Sequence, residues 1–91
     1  MNITFDSNKD TTNQSKHGVS LAFAKHLEWD WLQAEPDNRR DYGEQRMIGY
    51  MPVLDRVYCV VYIDRDDERR IVSLRKANKR EVKRYEIHIN P

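Results

Sequence analysis

The run Val57-Tyr58-Cys59-Val60-Val61-Tyr62-Ile63 constrains this chain more than any other feature. Val57, Cys59, Val61 and Ile63 point one way along a strand, and Tyr58, Val60 and Tyr62 the other. A strand that is apolar on both faces needs cover on both faces, so it belongs in the middle of a sheet. With 91 residues the chain has room for one modest core around that strand and for a single domain spanning 1–91. The neighbours are marked by turns. Leu54-Asp55 separates the central strand from one expected over about Glu44 to Val53. Asp64-Arg65-Asp66-Asp67 reads as a hairpin turn leading into a third strand, Arg69–Arg75, with Ile71 and Ser73 facing opposite Val72 and Leu74.

The flanks read as helices. Ile3-Thr4-Phe5 suits a short strand, and Asp6 or Ser7 offers an N-cap. Residues 8–16 are almost wholly polar, so a short helix there has no apolar stripe; Gly18 is placed to end it. Ser20 caps a better helix with Leu21, Phe23, Ala24 and Leu27 as its apolar positions. Trp29 and Trp31, at alternating spacing, begin a strand expected to end before Pro36, and residues 35–43 form a polar loop. Asn78-Lys79-Arg80-Glu81 has the spacing of a capping box, opening a helix to about Tyr85 with Val82 and Tyr85 on its inner side. The expected class is therefore α+β: an antiparallel sheet, two N-terminal helices and a basic C-terminal helix.

Composition removes several functions. No apolar run approaches the roughly 20 residues of a membrane span, and the N-terminus lacks the basic head and apolar segment of a signal peptide. The lone Cys59 forms no internal disulfide and no cysteine cluster exists for zinc, which points to a reducing, cytoplasmic setting. Gly18, Gly43 and Gly49 are too scattered for a phosphate-binding loop. No cofactor or metal is expected. The net charge is only +1, but residues 69–84 hold eight basic side chains against Glu81 alone, a net +7, which leaves −6 for the other 75 residues. Such polarity favours a polyanion at one face, with a solvated helix face as the plainer reading.

Three segments in order then carry a resemblance. Lys16-His17-Gly18-Val19-Ser20 is preceded by Asp6 to Lys9 and by Asn13; Asp41-Tyr42-Gly43-Glu44-Gln45-Arg46 is followed by Gly49; and Arg70-Ile71-Val72-Ser73-Leu74-Arg75-Lys76-Ala77-Asn78-Lys79-Arg80-Glu81 is followed by Tyr85. From Ile3 to about Glu86 the chain resembles the BrnT family of bacterial type II toxin–antitoxin modules. It departs at Phe5, where the family usually has Trp, and at Leu21, where it has an aromatic; Ile87 to Pro91 has no family counterpart. The resemblance implies a RelE-like fold and RNA cleavage. It also implies inhibition by a BrnA-like ribbon-helix-helix antitoxin, with operator DNA bound only through that complex.

Metal-free RNA cleavage needs a base for the 2′-hydroxyl, an acid for the leaving 5′-oxygen and cations for the phosphorane. His17 is one acid–base candidate; its plainer reading is a helix-end residue before Gly18. Glu44 is the other, two residues from Arg46 and so on one strand face with it, as a base beside a phosphate clamp or as a surface ion pair. Arg75 at a strand end and Arg80 in the next helix's first turn are candidates to meet on one phosphate. Lys9, Lys76, Lys79, Lys83, Arg84 and Tyr85, the last with its ring packed and its hydroxyl free, are candidates for binding RNA. Trp29 and Trp31 are expected in the core rather than stacked on bases, Cys59 buried and inert, and His26 and His88 at the surface or in packing roles.

Overall fold

In the computed structural model, which describes residues 1–90, the central strand sits where its two apolar faces require. The elements in chain order are β1 (Asn2–Thr4), α1 (Ser7–His17), 3₁₀ segments at Leu21–His26 and Trp29–Trp31, β2 (Gln33–Pro36), β3 (Met47–Val53), β4 (Arg56–Arg65), β5 (Glu68–Lys76) and α2 (Lys79–Ile89). They form one five-stranded sheet in the order β1-β5-β4-β3-β2. Four strands are antiparallel; β1 joins the β5 edge in parallel, with Ile3 opposite Arg69, making the sheet mixed.

One face of the sheet is the packed face. Leu21, Met51, Val60, Ile71 and Leu74 are fully buried there, with Ala24, Leu27 and Tyr62 beside them. Each such aliphatic side chain contributes about 1.5–3 kcal/mol by leaving water. Ile71 and Leu74 cannot share a face under strict alternation, contrary to the expected pattern for this strand. A bulge resolves the conflict: Tyr62 lies opposite Ile71 and Val61 opposite Ser73, so Val72 is the extra residue.

The polar helix α1 forms without an apolar stripe. Asp6 caps it by accepting from the Lys9 backbone N–H at 3.2 Å, and Gly18 ends it at φ 71°, donating its N–H to Gln14 O. It is anchored instead by one buried amide. Asn13 Nδ2 donates to Leu74 O at 2.7 Å and Val19 O at 2.8 Å, while Asn13 Oδ1 accepts from Leu74 N at 3.1 Å. The amide thus meets both backbone groups of Leu74 on an edge that β1 is too short to cover.

Of two further N-terminal expectations, one is met and one changes. The helix that Ser20 caps forms, as a 3₁₀ helix: Asp10 Oδ1 accepts from Leu21 N–H at 2.8 Å and from the Ser20 hydroxyl at 3.0 Å, pinning its start onto α1. The Leu21 backbone bond leads in pulling the Asp10 carboxyl below its usual range, with burial opposing it. Trp29 and Trp31 occupy a 3₁₀ turn rather than a strand, because the Leu32 and Trp31 amides bond back to Trp29 O and Glu28 O. The strand begins only at Gln33 and includes Pro36. Trp29 still packs against the core, but Trp31 is 56% exposed, against expectation. Helix α2 also runs past Tyr85 to Ile89. Among the described residues no helix is long and apolar enough to cross a membrane.

Candidate functional site

The other face of the sheet is partly open, and strand register puts three reactive side chains in one row across it. The two-residue turn at Leu54-Asp55 sets Tyr50 of β3 opposite Cys59 of β4, and the bulge in β5 sets Arg75 opposite Cys59. Residues directly opposite one another share a face. Helix α2 then adds Glu81. The capping box forms as its spacing requires: Asn78 Oδ1 accepts from Glu81 N–H, and Glu81 Oε1 accepts from Asn78 N–H, each at 2.9 Å.

That fixed carboxylate clamps Arg75. Arg75 Nη1 donates to Glu81 Oε1 at 2.8 Å and Nη2 to Oε2 at 2.9 Å, a bidentate pair. The Tyr50 hydroxyl donates to Glu81 Oε2 at 3.3 Å and lies 3.4 Å from Arg84 Nη2. The Arg75 bonds hold the Glu81 carboxyl down at about 2, against the cost of burial. Burial pushes the Tyr50 phenol up to about 12 and the Cys59 thiol up as well. At neutral pH this face therefore carries a carboxylate, two guanidiniums, a neutral phenol and a neutral thiol. Glu81 is saturated with donors and is no base; Tyr50 is built to hold a proton.

The loop between β2 and β3 closes one side. Asp37 N–H donates to Arg46 O at 2.7 Å, drawing the loop ends together. The buried Asp37 carboxylate accepts from Arg39 Nε at 2.7 Å and Nη2 at 2.8 Å, and the Arg39 pairing brings its carboxyl to about 2. Arg39, Arg75, Glu81, Tyr50, Ile48 and Glu35 line one cavity of about 390 Å³. A second cleft, of about 320 Å³, lies against the β5 edge and is lined by Lys9, Lys16, His17 and Ser73 among others. Ser73 and Arg75 are two residues apart on one face of β5, so both hollows border the same stretch of that strand.

The expected site residues scatter accordingly. His17 and Lys9 line the cleft beside β5 and not the cavity that Arg75 lines. Glu44 and Arg46 do not share a strand face: β3 begins at Met47, so both lie in the loop, where Glu44 pairs with Arg65. Arg46 places its guanidinium 4.0 Å from the Tyr42 ring centroid, with a buried Nε that has no protein partner. Arg75 is on the site, whereas Arg80 is exposed and makes no hydrogen bond or ion pair among the described residues. Lys76, Lys79 and Lys83 are likewise exposed. Arg84 touches the site through Tyr50. The Tyr85 hydroxyl is not free, because it donates to Trp31 O at 2.8 Å and seats α2. The basic segment 69–84 is not one surface: Arg69 lies on the packed side, paired with Asp64 and stacked on Trp29 and Tyr62.

Asp37, Arg39 and Tyr50 escaped the sequence reading, and Glu81 was read only as a cap. For Tyr50 a signal existed, since the Leu54-Asp55 turn fixes its partner as Cys59. Among the described residues no group of three or more His, Cys, Asp or Glu side chains is placed to hold a metal ion.

The family model described as "Ribonuclease toxin, BrnT, of type II toxin-antitoxin system" matches residues 5–81. The crystal structure of the Brucella abortus ribonuclease toxin, BrnT, is similar in fold, with a TM-score of 0.67 at 21% identity over 87% of this chain and 99% of that one. The comparison supports the α+β architecture, shared with that structure. Comparison with curated protein sequences returns no match.

Proposed function

The chain belongs to the BrnT family of ribonuclease toxins, and from that premise we propose that it cuts RNA without a metal ion at the Tyr50–Cys59–Arg75 row. The observation that carries the reading is Arg75 held bidentate by a saturated carboxylate on an open sheet face. Such a clamp fixes the guanidinium while leaving its Nε–H and the rest of Nη2 for a phosphate. Fixed cations aimed at developing charge need no reorganisation as the phosphorane forms.

In the proposed reaction a base takes the 2′-hydroxyl proton, the 2′-oxygen bonds to phosphorus, and the bond to the 5′-oxygen breaks. The leaving oxygen takes a proton, giving a 2′,3′-cyclic phosphate and a 5′-hydroxyl. Tyr50, with its raised pKa, is the proposed donor of that proton, assisted by Arg84. His17, in the cleft that borders the same strand, is the proposed base in preference to Glu44, whose carboxylate is engaged by Arg65. Lys9, in the same cleft as His17, and Lys76, Lys79, Arg80 and Lys83 on or near α2, are proposed to draw in the RNA backbone. The same exposed cations suit an acidic arm of a BrnA-like antitoxin, which would silence the site by covering it.

The test is incubation of the purified, antitoxin-free protein with total RNA in EDTA, beside Arg75→Ala and the Arg75→Ala/Arg80→Ala pair. Wild type is expected to cleave, and loss of Arg75 to slow cleavage by about 10²–10³-fold. RNA left intact by the wild type, with translating ribosomes as well as without, would overturn the reading.

A further inference from the structure

Arg39 takes no part in the reaction outlined above, yet it is held as Arg75 is held. Its side chain is 64% exposed, while the Asp37 side chain that grips it is only 1% exposed. Arginines this exposed usually sample many conformers, and a carboxylate this buried is costly unless its lone pairs are met. Here they are met by Arg39 Nε, Arg39 Nη2 and the Arg39 backbone N–H, with the Tyr42 hydroxyl at 3.4 Å. One edge of the guanidinium is fixed; Nη1 has no protein partner among the described residues. Arg75 repeats the device with Glu81 at the same cavity, which Tyr50 and Ile48 also line. Two anchored forks and an aromatic ring in one cavity supply the partners that the phosphates and bases of a single nucleic-acid strand take.

We propose that Arg39, set by Asp37, holds the phosphate next to the one on Arg75, so that the cavity takes an internal nucleoside of single-stranded RNA gripped at both flanking phosphates. The proposal rests on the ribonuclease reading and adds to it a substrate requirement: RNA that continues beyond the scissile phosphate. Arg39 binds, and Asp37 is a positioning residue. Because the fork is set in advance, less side-chain freedom is lost when the phosphate arrives.

Binding of a 2′-O-methyl oligonucleotide, which cannot be cleaved, is measured across a salt series for wild type, Arg39→Gln and Asp37→Asn, with melting curves for each. Arg39→Gln is expected to weaken binding about tenfold and to reduce the magnitude of the log–log salt slope by about 0.7, the share of one phosphate on a single strand. Asp37→Asn keeps the arginine's charge, so it is expected to weaken binding while leaving the slope near that of wild type. A pair that only closes the loop would lower melting temperatures and leave the affinity and slope of folded Arg39→Gln unchanged. That result overturns the proposal even if RNA is still cut, in which case the ribonuclease reading stands. A wild type that neither binds the oligonucleotide nor cuts RNA overturns both. Should Asp37→Asn fail to fold, Arg39→Gln alone decides.

Discussion

The two faces of the sheet are held by opposite means. On the packed face Leu21, Met51, Val60, Ile71 and Leu74 are stabilised by removal from water. On the open face Tyr50, Arg75 and Glu81 are joined by directed, charge-assisted bonds. Burial tolerates no vacancy but asks little of orientation. A charge network fixes orientation while leaving groups near solvent, where a ligand can reach them. Strand β5 serves both faces, because its bulge sends Leu74 to one and Arg75 to the other.

The sharpest way to break the contrast is Ile71→Ala, which empties a fully buried position on the packed face. Chemical unfolding is expected to show a loss of about 2–5 kcal/mol. A loss under about 1 kcal/mol would mean that face is not the main source of stability. Acid separates the faces next. The Glu81 and Asp37 carboxyls lie at about 2 in the folded protein, below ordinary values of 4.5 and 3.8. Their stabilisation is complete above those ordinary values and is lost as pH falls through about 2. Urea midpoints are therefore expected to decline from near pH 4.5 towards pH 2, with a shallower decline in Glu81→Gln; matching profiles would remove Glu81 from the account. The smallest effect belongs to exposed Lys83. Lys83→Ala is expected to leave stability within about 0.5 kcal/mol of wild type while weakening RNA binding alike across sequences. A sequence-dependent loss would assign it a base contact.

Local chemistry was legible wherever a few neighbouring residues decide the outcome. The Asn78/Glu81 box, the Leu54-Asp55 turn, the Gly18 terminus and the two-faced run of β4 each formed as their residues require. The family could be read from three ordered segments, and with it the α+β architecture. What stayed hidden depends on register or on distant partners. Without the bulge at Val72, Leu74 would face Cys59 and Arg75 would be turned towards the core, and no local pattern announces that one extra residue. Asp37-x-Arg39 in a polar loop looks like a solvated ion pair; only the folding of the loop over Asp37 distinguishes it. Glu44 and Arg46 failed as a pair because β3 starts one residue after Arg46.

Asn13 has a bearing on how copies of this chain meet. A sheet edge with unpaired backbone groups invites another strand, the usual beginning of lateral aggregation. At Leu74 the Asn13 side chain, an amide like the peptide group itself, occupies the donor and acceptor an incoming strand would use. The opposite border is the four-residue β2, ending in Pro36, which has no N–H to offer. The chain thus carries stoppers at both borders of its sheet, and the residue that moors its most polar helix also shields that edge from an incoming strand.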